Sequence, residues 1–411
     1  RAFVKPAHFG ALTFTLQPVL ERKVGVKFIW GEVTRLSGDD RTATLRLMFS
    51  DKLDEIKFDF CVICAGCNFG PFRENGESLW FPVVHSAARK ICRWAHLDER
   101  FVEGRRRHIL EEYHRLDALN RKGGQVLVVG AGFIGVEWAT ELEYFFPELT
   151  VTIMDQLPRC LGPLPVRAAE YCSEYMQAVG IRQFYDCRYN PKSEDFWSEI
   201  DMPDGADESY FTIGWKASNS FMPPCTLSDN GPGGGGWILF NKFLQVVKKL
   251  PDGNVAVWGD GCVFAVGDCT LGCVGTPPKF EMPPVPKAAY PAEEQALHAS
   301  KNVRRLDVQL YESHGCMACC RPRRLKETWW PWGAGTFVIS LGPRDACFVA
   351  GATPSKASGH VLAWWHPAAF LKELIESTKI DECKSRRFGT MIWYFVHHTP
   401  ILLWGQGPWL P

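Results

Sequence analysis

The sequence predicts an α/β protein, and three observations support this fold class. Apolar runs of strand length alternate with segments that carry apolar residues at every third or fourth position, as helices do. Residues 125–155 place a strand, a glycine-rich turn, a helix and a second strand in direct succession. The chain has 411 residues, 46% hydrophobic and 22% charged, so it is long enough for two or three domains with an ordinary core.

The segment 125–155 carries a phosphate-binding glycine pattern. An apolar strand leads into the turn Gly130-x-Gly132-x-x-Gly135, a helical pattern follows, and a second apolar run ends at Asp155. The acid lies 20 positions beyond the last glycine, counted from 135 to 155. This order and spacing are typical of a dinucleotide-binding βαβ unit, the core of a Rossmann domain.

Each residue of this pattern has a physical role in binding a dinucleotide. Gly130 permits the tight turn, Gly132 lets the backbone approach a pyrophosphate, and Gly135 lets the helix pack on the strand. The helix N-terminus offers free N–H groups and a positive dipole to phosphate. Asp155 is expected to accept hydrogen bonds from an adenosine ribose and to repel a 2′-phosphate, which favours NADH over NADPH. A Rossmann unit that persists as a scaffold after losing its ligand is the alternative.

Further elements are predicted on both sides of this unit. Before it, the pattern predicts strands around a turn within 24–36, strands over 43–50 and 56–66, and a basic helical region over 86–122. After it come a helix over 166–180 and a polar, glycine-rich stretch, 185–235, that we expect to be a flexible loop or insertion.

The second half of the chain returns to strands and ends in an aromatic segment. Strands are predicted over 237–240, 254–258 and 262–270, followed by a proline-rich stretch, 277–286, and a helix over 287–305. A strand pair within 335–351, a helix near 368–378 and an aromatic tail, 386–411, complete the prediction.

Composition excludes several classes of function. The net charge is zero and no basic patch appears, which argues against a nucleic-acid partner. The 16 cysteines do not form a disulfide framework. Cys316-x-x-Cys319-Cys320 is compatible with a redox pair or half a zinc site, but no second ligand pair completes a metal site, so ordinary reduced thiols are expected and no metal site is predicted. Residue 1 is Arg and no signal peptide follows, which predicts a processed or incomplete product. No uninterrupted apolar run reaches transmembrane length.

The aromatic tail, 386–411, has a basic leading edge and suits a surface role. Its arginines would meet phosphates and its aromatic rings would lie at the level of lipid headgroups: Arg386, Arg387, Trp393, Tyr394 and Trp404. Pro400 is expected to break the helix, so a spanning helix is not expected. Three interpretations stay open: binding to a membrane surface, binding to a partner subunit, and packing on the protein's own cap.

Four landmarks follow one another along the chain. They are Cys64-Ala65-Gly66 after a strand, GAGFIG with Asp155, VFAVGD over 263–268, and KAAYPAEEQALHASKNV over 287–303. Their order resembles the flavin-dependent pyridine-nucleotide oxidoreductases, and within them the type II NADH dehydrogenases and the apoptosis-inducing-factor-like NADH:quinone reductases. The likeness covers residues 24 to about 305 and extends more weakly into the C-terminal segment.

The resemblance implies two Rossmann-like domains and a smaller α+β cap. In that family an NADH-binding domain is inserted into a split FAD domain. The implied organisation is a truncated part of the FAD domain (1–85), a helical connection (86–122), the NADH-binding domain (123–235), the second part of the FAD domain (236–306) and the C-terminal cap with a membrane- or partner-facing tail (307–411).

By the same resemblance, two glycine turns belong to the FAD domain. Ala65 and Gly66 end the strand that returns the chain from the FAD domain to the NADH domain. Gly267 and Asp268 close a second strand, and Asp268 matches the family aspartate that hydrogen-bonds the flavin ribityl chain.

Two further residues would belong to the NADH site. Glu137 matches a family glutamate near the nicotinamide, although a solvated acid in the first helical turn would also suit the helix dipole. Gly214 would form the second glycine turn facing the nicotinamide.

Two features depart from the family pattern. The first glycine fingerprint, which would hold the ADP half of FAD, is missing, and residues 1–23 contain a single glycine. Either that unit lies outside this sequence or FAD binding has been lost. On the helix beneath the flavin, Tyr290 and Glu294 stand where type II NADH dehydrogenases carry glutamines, which leaves the electron acceptor open.

The function implied is an NADH-dependent flavoprotein that passes hydride from NADH to FAD and electrons on to a quinone-like acceptor. Its expected place is the periphery of an organellar membrane, mitochondrial rather than plastid. One alternative is a catalytically degenerate oxidoreductase fold that serves as a structural subunit of a large respiratory or photosynthetic membrane complex. The other is a regulatory NADH sensor.

Overall fold

The computed structural model describes residues 1–48, 50, 52–69, 97–99, 101–273, 287–311, 324–327, 337–350 and 360–404. Its contacts divide the chain into two compact units. Unit 1 consists of Arg1–Val26, Phe69–Gly214 and Ala334–Leu410. Unit 2 consists of Lys27–Asn68, Trp215–Gly333 and Pro411.

Helices and strands are mixed along the described residues, as expected of an α/β chain. The helices are α1 (His8–Leu12), α2 (Gln17–Val19), α3 (Val102–Asn120), α4 (Phe133–Phe145), α5 (Val166–Ala178), α6 (Glu194–Glu199), α7 (Ala289–Tyr311), α8 (His366–Cys383) and α9 (Arg387–Trp404). The strands are β1 (Gly31–Ser37), β2 (Thr42–Leu47), β3 (Leu53–Lys57), β4 (Cys61–Ile63), β5 (Cys67–Phe69), β6 (Gln125–Val129), β7 (Thr150–Met154), β8 (Arg182–Phe184), β9 (Glu208–Phe211), β10 (Trp215–Ala217), β11 (Ile238–Phe240), β12 (Val247–Lys249), β13 (Val255–Val257), β14 (Val263–Ala265), β15 (Thr270–Cys273), β16 (Phe337–Leu341), β17 (Asp345–Ala350) and β18 (His360–Trp364).

A four-stranded parallel sheet forms the centre of unit 1, with strand order β8-β7-β6-β9. Val129 at the end of β6 lies in register between Met154 of β7 and Phe211 of β9. Residues 126–129 are all buried, which is the pattern of a parallel strand covered on both faces. The strand, turn, helix and strand predicted over 125–155 are confirmed as β6, α4 and β7.

The expectation of a flexible loop over 185–235 is wrong. The stretch contains α6, β9 and β10, and β9 completes the parallel sheet beside β6. Tyr210 and Phe211 of β9 are buried. The four residues of β9 are too few and too polar to signal a strand alone, and the ladder offered by β6 supplies their conformation.

The glycines of 231–236 pack around an indole instead of forming a free linker. Trp237 is fully buried, and its N–H donates to Pro232 O at 3.1 Å and to Gly234 O at 3.0 Å. A Cβ at Gly231 would lie 2.4 Å from Trp237 Cδ1. A larger residue there would displace the indole from its site.

The first and last segments of the chain pack with α4 in unit 1. The ring centroids of Phe3 and Trp138 lie 6.3 Å apart in an edge-to-face arrangement. Strands β16, β17 and β18 form an antiparallel sheet, which includes the strand pair predicted within 335–351. Ile339 and Leu341 of β16 join the same core cluster as Trp138. Compact units need not coincide with domains, so the domain boundaries stay a prediction.

A buried charged network ties α3 to β9. Glu112 and Tyr210 are fully buried, and the Tyr210 hydroxyl donates to the Glu112 carboxylate. Arg115 donates to Glu112 Oε2 at 3.1 Å and lies 2.6 Å from Glu208 Oε2. Burial, and next to it the charge of Glu112, raises the pKa of Tyr210, so the phenol stays neutral. One guanidinium therefore serves two buried carboxylates.

A second buried cluster joins residue 99 to α3. Glu99 Oε1 accepts a hydrogen bond from Arg105 Nη1 at 2.8 Å and lies 2.6 Å from His108 Nδ1. Burial by itself would raise the pKa of Glu99, but the hydrogen bonds and charges of His108 and Arg105 lower that pKa to about 2.

Glu99 should therefore stabilise the fold in a pH-dependent way. Its folded pKa of about 2 lies below the reference value of 4.5, so its contribution is complete above that value and is lost as the pH falls towards the folded pKa. We expect Glu99→Gln to lower the free energy of unfolding by about 3 kcal/mol at neutral pH. Urea denaturation should show this difference shrinking from about pH 5 to about pH 3. Glu103→Gln on the exposed face is the control, and a pH-independent difference would contradict the cluster.

Unit 2 contains parallel strand pairs and an antiparallel meander. Strands β1, β2 and β3 form the meander, while β4 pairs with β14 and β11 with β15 in parallel. The strands predicted within 24–36 begin only at Gly31, because Leu20–Val24 form a π-helical turn that Gly25 ends at φ 76°. Helix α7 packs Ala299 against Phe264 of β14.

Residues 387–404 of the aromatic tail form α9, which packs on α8. The helix runs to Trp404, so the expectation that Pro400 ends it is wrong; a proline removes one backbone donor without requiring every later turn to unwind. Trp393 is buried beneath the Lys379 ammonium, 4.9 Å from the ring centroid, and not exposed as expected. Other apolar side chains of the pair are exposed: Phe370, Phe388, Met391, Tyr394 and Phe395. Among the described residues we find no helix both long and apolar enough to cross a membrane.

Candidate functional site

The turn between β6 and α4 can be built only with glycine at two positions. Gly130 has φ +105°, and a Cβ on it would lie 2.5 Å from Ile213 Cγ2 and 2.6 Å from Thr212 Oγ1. A Cβ on Gly135 would lie 1.8 Å from the carbonyl oxygen of Gly130. The first turn of α4 thus rests directly on the turn that precedes it, as close helix–strand packing requires.

Gly132 differs from these two glycines because its missing side chain faces open space. A Cβ built there meets no heavy atom within 4 Å. Gly132 is also the N-cap of α4, in an extended conformation, and no side chain caps the helix. The first N–H groups of a helix have no intrahelical acceptor, so this end of α4 is open to an anion.

Asp155 is held across the mouth of the glycine turn. Its Oδ2 accepts a hydrogen bond from Ala131 N at 2.6 Å, and its Oδ1 accepts one from Leu157 N at 2.9 Å. The loop that follows is also attached to the turn, since Leu161 N donates to Ala131 O at 2.8 Å. Each carboxylate oxygen has capacity for a further hydrogen bond. The partly exposed carboxylate is thus fixed in place and can still accept from a hydroxyl.

The fourth strand brings a second glycine to the same edge of the sheet. Thr212 follows β9, and its hydroxyl lies 2.8 Å from Gly130 O, to which it donates. Gly214, two residues further on, has φ +88°. Parallel strands end at a common edge, so the structure brings Gly214 close to the glycine turn along the chain of Thr212 and Ile213.

Glu137 lies in the second turn of α4, so it is not the solvated first-turn acid considered above. Its Oε1 accepts a hydrogen bond from Ser340 N at 2.9 Å and forms an ion pair with Lys372. Both partners belong to the C-terminal segment. A role near a nicotinamide stays a prediction for this residue.

A cleft that the sequence did not reveal opens beyond β8. It has a volume of about 810 Å³ and is lined by residues between 184 and 199, among them Tyr185, Tyr189 and Phe196. The cleft adjoins the acid at the end of β7, because Asp155 N donates to Phe184 O at 3.0 Å. The aromatic residues after β8 could have indicated this cleft, but a loop was expected over the same stretch.

A separate cluster lies in unit 2, at the ends of β4 and β14. The parallel register of these strands places the turn at Ala65 and Gly66 at the same edge as Gly267 and Asp268. Gly66 has φ +67° and Gly267 has φ +73°. The Gly267 N–H donates to the buried Gln295 Oε1 at 2.6 Å, so α7 fixes this turn.

Asp268 is the polar centre of that cluster. Burial raises the pKa of its carboxyl, and the charge of Lys287 opposes the shift. Within the described residues the carboxylate accepts no hydrogen bond, which leaves it able to bind hydroxyl groups. Lys287 itself lies over the ring of Trp237 at 4.3 Å and donates to Thr270 O.

Other residues singled out in the sequence contribute less. The segment with Cys316 and its neighbours and the side chain of Tyr290 lie outside the described residues. Glu294 is buried on α7. In the described part of the chain, no three Cys, His, Asp or Glu side chains converge as ligands of a metal ion would.

Comparison with known proteins assigns the region that carries the glycine turn. Residues 97–190 match the family model described as pyridine nucleotide-disulphide oxidoreductase. This stretch is a pyridine nucleotide-disulphide oxidoreductase domain. The family resemblance inferred from the sequence is confirmed for this domain.

Curated relatives of this oxidoreductase domain share low identity. A probable mitochondrial NADH-ubiquinone oxidoreductase of Schizosaccharomyces pombe is 22% identical over 60% of this chain and 46% of its own length. A type II NADH:quinone oxidoreductase of Staphylococcus epidermidis is 22% identical over 68% of this chain and 65% of its own length. The chain therefore spans about half to two thirds of the curated relatives it matches.

The fold extends beyond the matched domain. The sulfide:quinone oxidoreductase of Aquifex aeolicus superposes with a TM-score of 0.65 at 16% identity. The match covers 99% of this chain and 87% of the Aquifex aeolicus chain. At that identity the likeness concerns the fold, and it confirms the α/β class.

Proposed function

We propose that unit 1 binds NADH at the turn formed by Gly130, Gly132 and Gly135. One observation carries the proposal: the missing side chain of Gly132 faces open space, while its two partner glycines are packed against backbone and neighbouring side chains. A turn that served only as a scaffold would need glycine at the packed positions and could accept a side chain at the open one. The pyrophosphate of a dinucleotide accounts for the open position.

The remaining residues of the site would each contact a different part of the dinucleotide. The free N–H groups at the start of α4 would bind the pyrophosphate. Asp155, already oriented by two backbone N–H groups, would accept the adenosine ribose hydroxyls. Gly214 would let the chain after β9 lie close to the nicotinamide half.

The second cluster suits FAD. Asp268 offers a partly buried carboxylate without a hydrogen bond from the described residues, which fits the hydroxyls of a ribityl chain. A Cβ on Gly66 would meet no atom within 4 Å, so the backbone there is open to a ligand, whereas Gly267 lets its turn lie close to Ala292 of α7. When bound, FAD would accept hydride from NADH and pass electrons onward, and the protein would supply orientation and exclusion of water.

We further propose a quinone-like acceptor and a place at the surface of an organellar membrane, mitochondrial rather than plastid. The names of the Staphylococcus epidermidis and Schizosaccharomyces pombe relatives support a quinone and, more weakly, the organelle. The exposed aromatic residues of α8 and α9, with Arg386 and Arg387 beside them, suit a lipid surface or a membrane-bound partner.

A second candidate function is a structural subunit of a membrane complex, built on an oxidoreductase fold that has lost catalysis. The engagement of Glu137 by the C-terminal segment favours it, because that carboxylate already has a structural use. An activity assay distinguishes the two candidates. An oxidoreductase supplied with FAD should oxidise NADH in the presence of a soluble quinone. A structural subunit should neither oxidise NADH nor bind it.

Asp155→Asn tests the proposed preference for NADH. The change removes a negative charge and keeps one acceptor, so we expect NADH affinity to fall by about tenfold, the loss of one charge-assisted hydrogen bond. NADPH should bind no worse than before, because the repulsion of its 2′-phosphate is removed. Calorimetric titration with both nucleotides measures the change, with Asp117→Asn, a partly exposed acid of α3 that pairs with Arg121, as control. An unchanged NADH affinity would remove Asp155 from the site.

A further inference from the structure

One face of α4 is held by segments that are remote in sequence. Glu137 accepts a hydrogen bond from Ser340 N and forms an ion pair with Lys372. One turn further along α4, Thr140 Oγ1 accepts a hydrogen bond from Gly342 N at 3.0 Å. The next position, Glu141, lies 3.3 Å from the Arg1 guanidinium. All these contacts lie within unit 1, so the helix that begins at the glycine turn is braced along its length by the C-terminal segment and, at Glu141, by Arg1.

The Glu137 contact is the closest of these to the nucleotide end of the helix. Both bonds converge on Oε1, and within the described residues Oε2 accepts none. An ammonium and a backbone N–H that approach one oxygen restrict the carboxylate to a single orientation. Lys372 thus fixes the position of Glu137 and leaves one oxygen available.

The position of α4 matters because its first residues belong to the glycine turn, 130–135, that would hold the pyrophosphate. Gly135 touches the carbonyl of Gly130, so a shift or rotation of α4 would move the turn with it. Small displacements of binding groups cost affinity out of proportion to their size. The ion pair itself is about one third exposed on both sides and contributes little to global stability. An effect of this ion pair on the glycine turn can therefore be measured separately from an effect on folding.

We propose that Lys372 is a positioning residue for dinucleotide binding: through Glu137 it holds α4 so that the turn at Gly132 is set for a pyrophosphate. This inference rests on the proposed NADH site, since it assigns to the C-terminal helix α8 a role in that same site. Lys372 itself need not touch the nucleotide.

The test compares Lys372→Met, Lys372→Arg and Glu137→Gln in the full chain. Lys379→Met is the matched control, because Lys379 lies on the same helix, has similar exposure and pairs with Glu382 at 2.8 Å instead of Glu137. We expect Lys372→Met to raise the NADH dissociation constant by about tenfold. Lys372→Arg should restore most of the affinity, Glu137→Gln should match Lys372→Met, and the control should bind as the unmodified chain does.

Hydrogen exchange of the nucleotide-free protein supplies a readout that does not need NADH. Amides of 136–141, the first in α4 to have intrahelical acceptors, should exchange faster in Lys372→Met than in the control, while β7 stays unchanged. Unaltered exchange together with unaltered NADH affinity would overturn the role of Lys372, and so would an arginine variant as weak as the methionine variant. If the unmodified chain binds no NADH, the proposed function fails, and the exchange result still decides whether Lys372 holds α4.

Discussion

Gly132→Val is expected to remove most NADH binding while leaving the fold intact. The valine side chain would fill the space into which the Gly132 Cβ points, where a dinucleotide phosphate would approach the backbone. Losing one or two charge-assisted hydrogen bonds lowers affinity by about 10- to 100-fold or more. Because no protein atom lies within 4 Å of that Cβ, the free energy of unfolding should hardly change. Nucleotide titration and urea denaturation measure the two quantities on one sample.

Gly135→Ala is the matched control, since it also adds a side chain to the glycine turn. Its Cβ would lie 1.8 Å from the Gly130 carbonyl oxygen, so backbone must move. Such overpacking costs about 1–3 kcal/mol, and here we expect the upper end. The account is contradicted if Gly132→Val unfolds the protein, or if it binds NADH as tightly as the unmodified chain.

Arg115→Met is expected to cause the largest loss of stability. The substitution keeps much of the side-chain volume and removes the guanidinium shared by Glu112 and Glu208, whose carboxylates are almost fully buried. Breaking a buried ion network by removing one partner costs about 3–5 kcal/mol, because a buried charge is left uncompensated. Chemical denaturation at neutral pH measures the loss.

Arg106→Met is the control for this prediction. Arg106 lies on the same helix and pairs with Glu103 at 3.0 Å, but both side chains are exposed. Exposed pairs of this kind contribute little, so no measurable change is expected. Equal effects of the two substitutions would mean that burial of the network does not determine its contribution.

The centre of the fold could be predicted from the sequence because its signals are local. Gly130, Gly135 and Asp155 stand at spacings dictated by one turn, one helix and one strand, and the structure places them as that geometry requires. Helix α5 and the strand pair β16–β17 also follow from local apolar patterns. In each case the signal lies within about one element of the residue concerned.

What the sequence did not predict depends on partners remote in the chain. Strand β9 is a strand because β6 lies beside it, and the cleft lined by Tyr185 and Tyr189 exists because β8 ends next to Asp155. The carboxylate of Glu137 is held by Lys372, which lies 235 positions further along the chain. No pattern within α4 distinguishes a clamped glutamate from a free one, so only tertiary structure reveals it.

Hydrogen exchange of the full chain with and without saturating NADH tests the central claim most directly. If the turn after β6 holds the dinucleotide, amides of 131–136 and of 155–157 should gain protection, and those of β16 should change much less. Protection confined to other parts of the chain, or none at NADH concentrations that saturate a calorimetric titration, would contradict the assignment of this turn as the nucleotide site.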